Sequence, residues 1–316
     1  MARFLLIMDE CKPTIPANKL IHRPLCWALR HKGPEESSMN SIVAIQPRAI
    51  THRTSGRNRG PITRLMSPGD LGQLLKPFVF LDQFAFRPEP GKKGFGMHPH
   101  SGIATLTYML EGELAYEDTT GKSGLLPSGG VEWMSAGNGV WHDAQPVSDA
   151  LITGLQLWVA LPAAQENGPA QSVYLAAAQV AQEGPAQVLL GRYGSAHSSI
   201  PAPDGMNYLA VHLKDGEHWS YTPPAGHTVG WLAVSTGHLT ASGPISAGEL
   251  AVFEASDRPI DLVATGPTCF VLGSAIKHPH DLITGYYSVH TSQAALMQGE
   301  QEIERIGALL REQGRL

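Results

Sequence analysis

Cysteine is scarce. The 316 residues include three, Cys11, Cys26 and Cys269. An odd number without CxxC spacing indicates neither a disulfide framework nor a thiolate zinc site, and a reducing compartment is expected. No apolar run approaches the roughly 20 residues that cross a bilayer as a helix. The opening ARFLLIM gives way at once to Asp9, Glu10 and Lys12, too short for a signal-peptide core. A cytoplasmic chain without a membrane span is expected. An excess of basic charge is also missing: 23 Lys and Arg against 28 Asp and Glu leave a formal charge of −5. That offers no field to attract phosphate backbones or anionic lipid, so direct nucleic-acid binding is not expected.

What is present is material for β structure. A hydrophobic content of 42% can furnish a core for two domains in a chain of this length. The 34 glycines and 24 prolines are spread along the chain, which suits short strands and tight turns better than long helices. Residues 1–44 carry prolines and charges with no sustained period of 2 or 3.6, and read as a poorly ordered N-terminal extension. HRTSGRNRG, residues 52–60, reads as a solvated loop. From Phe78 the pattern turns to strands. TLTYMLEGELAYED sets Leu106, Tyr108 and Leu110 against Thr105, Thr107 and Met109, breaks at Gly112, and resumes at Leu114 and Tyr116, as a two-sided strand with a glycine break would. ITGLQLWVALP repeats the alternation. The Ala-, Gln-, Gly- and Pro-rich stretch 166–204 reads as a linker, dividing a first β domain (45–165) from a second (205–290). Ser292 can cap a closing helix within 291–316 whose Leu296, Ile303, Ile306 and Leu310 share a face.

Leu110–Gly137 can be laid against Ser235–Ser256: each runs glycine, leucine, polar turn, proline, glycine, then an aromatic-bearing strand. Anchored on Gly112 and Gly237, the weak repeat puts Pro223 opposite His98 and Ala225 opposite His100. The second β unit is therefore expected to lack metal ligands.

The chemistry concentrates in the first unit. In His98-Pro99-His100 an extended backbone points both imidazoles to one face, about 6.5–7 Å apart along the strand. A third histidine, His142, follows about 40 residues on, after PSGG and GNG turns. That layout is of a small β-barrel with metal ligands on adjacent strands. A second HPH, at 278–280, reads as a surface turn, the alternative being a segment folded over the mouth of the first barrel.

HPHSGIATLTYMLEGELAYEDTTG and PSGGVEWMSAGNGVWH, with LDQF at 81–84 and LQLWVALP at 155–162, resemble the cupin superfamily and specifically the pirin family. That family's N-terminal half carries HPHxGxxTxTYxLEGExxxxDxxG…PGxxxWMxAGxGxxH. The resemblance covers about residues 45–165 strongly and the rest loosely. It implies an all-β fold of two tandem cupin (double-stranded β-helix, jelly-roll) barrels with a C-terminal helix. It also implies an N-terminal divalent-metal site, with Fe(II) the usual ion. Some members show quercetin 2,3-dioxygenase activity on small enolisable aromatic substrates; others act through protein partners as transcriptional co-regulators. His98, His100 and His142 match three family ligands. The fourth, a glutamate two residues after the third histidine, falls on Ala144, and the general cupin glutamate falls on Ala104. Asp143, one residue off, should face away by strand alternation. Three neutral imidazoles leave a divalent charge uncompensated, so Fe(II) should be held less firmly and zinc, nickel or copper also suit the site. Two functions stay open: a metal-dependent dioxygenase with Trp133 and Trp141 as candidate wall residues, and a binding or regulatory protein with a weakened metal centre.

Overall fold

A strand at the start of the described chain belongs to the far half of the molecule. In a computed structural model that describes residues 47–88, 94 and 96–316, β1 (Ile50–Thr54) pairs antiparallel with the distant strand Leu250–Phe253. Arg48 fastens this crossing: its guanidinium donates to the carbonyls of Glu254 and Thr228 at 2.9 and 2.8 Å. Residues 52–60, expected as a loop, lie largely in β1 and a short strand Arg57–Arg59, with their side chains mostly exposed. The expectation for residues 1–44 falls outside the described residues.

The first barrel is built from β2 (Ile62–Met66), β3 (Phe78–Phe86), β4 (His98–His100), β5 (Ile103–Glu111), β6 (Glu113–Asp118), β7 (Ser123–Pro127), β8 (Val131–Ser135), β9 (Val140–Pro146), β10 (Ile152–Ala160) and β11 (Gln171–Leu175). A seven-stranded sheet runs β11–β8–β5–β10–β3–β2 and ends at Arg57–Arg59; a four-stranded sheet runs β4–β9–β6–β7. Gly112, with φ +83°, makes the turn from β5 into β6, where a Cβ would collide with the carbonyl of Leu151.

The second half uses β12 (Ala186–Leu190), β13 (Met206–Leu213), β14 (His218–Tyr221), β15 (Val229–Thr240), β16 (Leu250–Phe253) and β17 (Ile260–Ala275), joined with β1 and the short strands Gln182–Glu183 and Pro244–Ser246 in one nine-stranded sheet. The stretch 166–204 is thus not a free linker. β11 adds to the edge of the first sheet by pairing with β8, and β12 pairs with β13. Its small and polar residues had masked strands too short to show a period.

The two barrels share their largest core. Leu106, Trp133 and Leu157 from the first half meet Tyr208, Trp231 and Val271 from the second, and Phe78 packs edge-on against Trp231 at 5.5 Å. The central strands of the first barrel are therefore buried on both faces. On β5, Leu106 and Tyr108 enter this shared core while Thr107 faces the barrel interior.

In the second half, Trp219 and Tyr221 of β14 fill the interior together with Leu232 and Phe270. Pro223 and Ala225 lie just beyond that strand. After β17 the chain leaves the second barrel. Residues 276–290 run back across the first, with His278 donating its backbone N–H to the Lys76 carbonyl and Gln73 reaching the Leu282 carbonyl. The span 205–290 is accordingly not one domain.

Helix α1 (Leu71–Leu75) is a single short turn. Helix α2 (Gln293–Glu312) closes the chain, with the Ser292 hydroxyl accepting the Ala295 N–H at 3.1 Å and Leu296, Ile303 and Leu310 on its buried side. No helix among the described residues is long and apolar enough to cross a membrane.

Candidate metal centre

β4 and β9 are antiparallel neighbours with His98 opposite His142 and His100 opposite Val140. Strand parity then delivers all three imidazoles into the first barrel. Their ligand atoms lie within 4.8 Å of one another, and no other such group of His, Cys, Asp or Glu occurs among the described residues. The outer nitrogen of each ring has an acceptor. His98 Nδ1 is 2.7 Å from the Gly96 carbonyl, His100 Nδ1 3.2 Å from the Tyr287 carbonyl, and His142 Nδ1 3.4 Å from Glu132 Oε1. Carbonyl and carboxylate oxygens only accept, so each Nδ1 carries the proton and each Nε2 presents a lone pair.

Those lone pairs converge. The Nε2 atoms of His98 and His142 stand 3.0 Å apart, and the buried Nε2 of His100 has no hydrogen-bond partner. Acceptors facing one another in this way call for a cation. Two nitrogens about 2.1 Å from a shared ion, at a right angle about it, are about 3.0 Å apart. Burial, reinforced by the neighbouring His142, holds His98 down at about 4, and burial pushes His100 well below the usual histidine range. Both rings are therefore neutral and free to ligate near pH 7.

The Nε2 atoms open into a cavity of about 380 Å³. Its walls are aromatic. Phe80 and Trp158 stack face to face at 4.1 Å, with the Arg64 guanidinium 4.2 Å above the Phe80 ring. Arg64 is in turn held by a two-pronged bond to Asp82, both contacts 2.8 Å. Tyr286 and Tyr287, from the segment that crosses the first barrel, complete the rim.

Several sequence readings need correction here. Trp133 is buried in the core between the barrels, because β8 turns its odd-numbered residues that way. Trp141 packs under α2, donating Nε1–H to the Ile303 carbonyl at 2.8 Å. Neither lines the cavity; Trp158 and Phe80 do. Ala104 also faces the shared core, so a carboxylate there would not reach the histidines, whereas Ala144 does line the cavity. Asp143 is engaged away from it, accepting from the Ala144 N–H at 2.7 Å and from the Gln145 side chain. His278 is buried, with Nε2 3.3 Å from the Leu161 carbonyl, rather than part of a surface turn. The segment does cover the mouth of the barrel, through its tyrosines and not its histidines.

Sequence reasoning missed Glu132. The signal was a lone carboxylate between Val131 and Trp133 in an otherwise apolar strand, where parity puts it on the opposite face from both. Burial works to raise its carboxyl, but the hydrogen bond and attraction from His142, with help from Thr107, outweigh burial and bring it below the usual range.

Comparison with known proteins decides the family. A family model described as Pirin matches residues 60–159. A Pseudomonas aeruginosa protein named "Putative quercetin 2,3-dioxygenase" is 31% identical over 243 residues, spanning 72% of this chain and 84% of that one. The chain belongs to the pirin family. Pirin-1 of Arabidopsis thaliana is 29% identical over 227 residues, 69% of this pirin and 77% of the plant protein. Among solved structures, a quercetin 2,3-dioxygenase from Acinetobacter baumannii superposes with a TM-score of 0.73 at 23% identity, covering 83% of this pirin and 96% of that chain. The bacterial pirin YhhW of Escherichia coli, in complex with nickel(II), gives 0.57 at 21% identity, covering 73% and 99%. At these identities the likeness is one of fold, and the fold is the expected bicupin.

Proposed function

We propose that this pirin binds one divalent ion through Nε2 of His98, His100 and His142, and that it is an oxidoreductase of the quercetin 2,3-dioxygenase type with Fe(II) as its working ion. The observation that carries the reading is the convergence of three Nε2 atoms at the base of an aromatic-walled cavity. The names of the relatives, one a quercetin 2,3-dioxygenase and one a nickel(II) complex, support a small enolisable aromatic substrate and a divalent ion.

A bound ion would supply Lewis acidity toward an enolate oxygen and, if redox-active, reactivity toward O₂. The chain's own residues do the rest. The three oxygens that accept from the Nδ1–H groups fix the tautomers and ring orientations. The stacked Phe80 and Trp158 offer a face to a flat ring. Arg64, kept in place by Asp82, puts a positive charge at the cavity wall, where it can meet a deprotonated hydroxyl. The segment bearing Tyr286 and Tyr287 limits access by water.

A second reading is a binding or regulatory protein that keeps the ion without turnover. It is favoured by Ala144, which leaves the ion without the family's carboxylate. Metal analysis of the purified protein with an O₂-electrode trace on quercetin separates the two. Metal with O₂ consumption supports the dioxygenase; metal without it supports the second reading. Replacing all three histidines by alanine should abolish bound metal while leaving the fold, and unchanged metal content would refute the site.

A further inference from the structure

We infer that Glu132 replaces, from behind His142, the carboxylate this chain lacks beside the metal, acting as a positioning and charge-compensating residue rather than as a ligand. The inference rests on the metal reading above. Three neutral imidazoles offset none of a divalent charge, and Ala144 has only a methyl at the cavity wall. Glu132 is 6% exposed and lines the same cavity from β8. Its Oε1 lies 3.4 Å from Nδ1 of His142, on the far side of the ring from the Nε2 that faces His98 at 3.0 Å. A carboxylate accepting Nδ1–H fixes the ligating tautomer, makes the opposite nitrogen a stronger donor, and brings negative charge near the ion without taking a coordination position.

The Tyr174 hydroxyl is 2.9 Å from Asp118 Oδ2 and 3.4 Å from Glu132 Oε1, so its one proton goes to the nearer Asp118. Among the described residues no lysine or arginine forms an ion pair with Glu132, and the nitrogen that meets its carboxylate is His142 Nδ1 at 3.4 Å. The consequence for chemistry is spatial. With the carboxylate behind the histidine and alanine at position 144, every coordination position beyond the three Nε2 atoms stays open toward the cavity.

Cobalt(II) titration tests this, with binding followed by visible absorption and chelator competition on the full chain. Glu132→Gln keeps an acceptor for Nδ1–H and removes only the charge; Glu132→Leu removes both. Cobalt affinity should fall about tenfold in the first and approach a hundredfold loss in the second. Ala144→Glu should raise cobalt affinity by a larger factor in Glu132→Gln than in the otherwise wild-type chain, a coupling that no general loosening of the barrel would produce. Wild-type affinity in Glu132→Gln, or a gain from Ala144→Glu no larger there than in the otherwise wild-type chain, would overturn the role of Glu132 while leaving the three-histidine site in place. Absence of histidine-dependent cobalt uptake by the wild-type chain would overturn the metal reading itself, and this inference with it.

Discussion

Replacing Gly299 by alanine sets two effects of known size against each other. In an exposed helix interior the change stabilises by about 1 kcal/mol, because alanine has less backbone entropy to lose. Gly299 is buried in the second turn of α2, over a polar cluster linking three parts of the chain. Ser101 Oγ, which follows the ligand His100, donates to the Asn138 carbonyl at 2.9 Å and lies 2.9 Å from His290 Nε2. The far nitrogen of His290 approaches Glu166 Oε2 at 3.2 Å, poorly aligned for a hydrogen bond, and Glu166 accepts from the N–H and hydroxyl of Thr291 at 2.7 and 2.6 Å. A Cβ on residue 299 would overlap Ser101 Oγ outright and stand 2.7 Å from His290 Nε2 and 3.0 Å from Ser101 Cβ. Ser101 and His290 are fully buried and tied to one another and to the Asn138 carbonyl, so neither can swing aside cheaply. Overpacking costs roughly 1–3 kcal/mol, and disrupting buried hydrogen bonds adds about 1–3 kcal/mol. The cost outweighs the propensity gain, and a net destabilisation of roughly 1–5 kcal/mol is expected. Urea and thermal unfolding measure it. Ser101→Gly should recover part of the loss in the double variant, since the two changes share one contact. A Gly299→Ala protein as stable as the wild type would show that α2 does not seat on Ser101 and His290 as described.

Ala144→Glu alone places a carboxylate on the cavity wall and should raise Fe(II) affinity, measured by chelator competition, whereas Asp143→Ala should change it little because Asp143 is bonded to its own strand neighbours; the opposite pattern would mean that the register of β9 is wrong. Adding Fe(II), Ni(II) or Zn(II) anaerobically should raise the unfolding midpoint in proportion to the logarithm of free ion, and the triple-alanine variant should show no such shift. Burial lowers His227 and His278 below their ordinary value of 6.5. The unfolded chain therefore takes up protons first, and stability should be lost progressively as pH falls below about 6.5. His227→Gln or His278→Gln should flatten that slope in urea titrations between pH 7 and 5, and an unchanged slope would contradict the burial-driven shift.

The parts of this molecule that were legible in its sequence are those where one residue's chemistry is read against its immediate neighbours. His98 and His100 are two apart on a strand, so their common face follows from the pleat. Asp143 and Ala144 are adjacent to each other and close to His142, and alternation assigned them opposite faces as the side-chain contacts now show. Ser292 announced α2 through its capping hydroxyl. Elsewhere the same alternation was visible but ambiguous, because the central strands are buried on both sides. Leu106 and Thr107 look like an inside and an outside; they are in fact the core between two barrels and the lining of a cavity. Trp133 and Trp158 cannot be sorted into core and wall without knowing which side of the sheet the second barrel covers.

The remaining parts depend on where a distant piece of chain returns. Nothing near residue 287 in the sequence hints that its backbone carbonyl will meet the Nδ1 of a histidine at position 100, since a carbonyl is common to every residue. The strands in 166–204 are recognisable only through their partners, β8 and β13. The crossing of residues 276–290 over the first barrel is likewise fixed by contacts with Lys76, Gln73 and Ser101. Glu132 stands between these cases. Its place on the barrel's interior face follows from the parity of Val131 and Trp133, but its meaning depends on β9 presenting His142 from the facing sheet. A search for the missing carboxylate confined to the strands bearing the histidines stops at Ala144. Extended to every acidic residue flanked on both sides by buried apolar neighbours, the same reasoning reaches Glu132, because a carboxylate in that setting must find a cationic or hydrogen-bonding partner across the barrel.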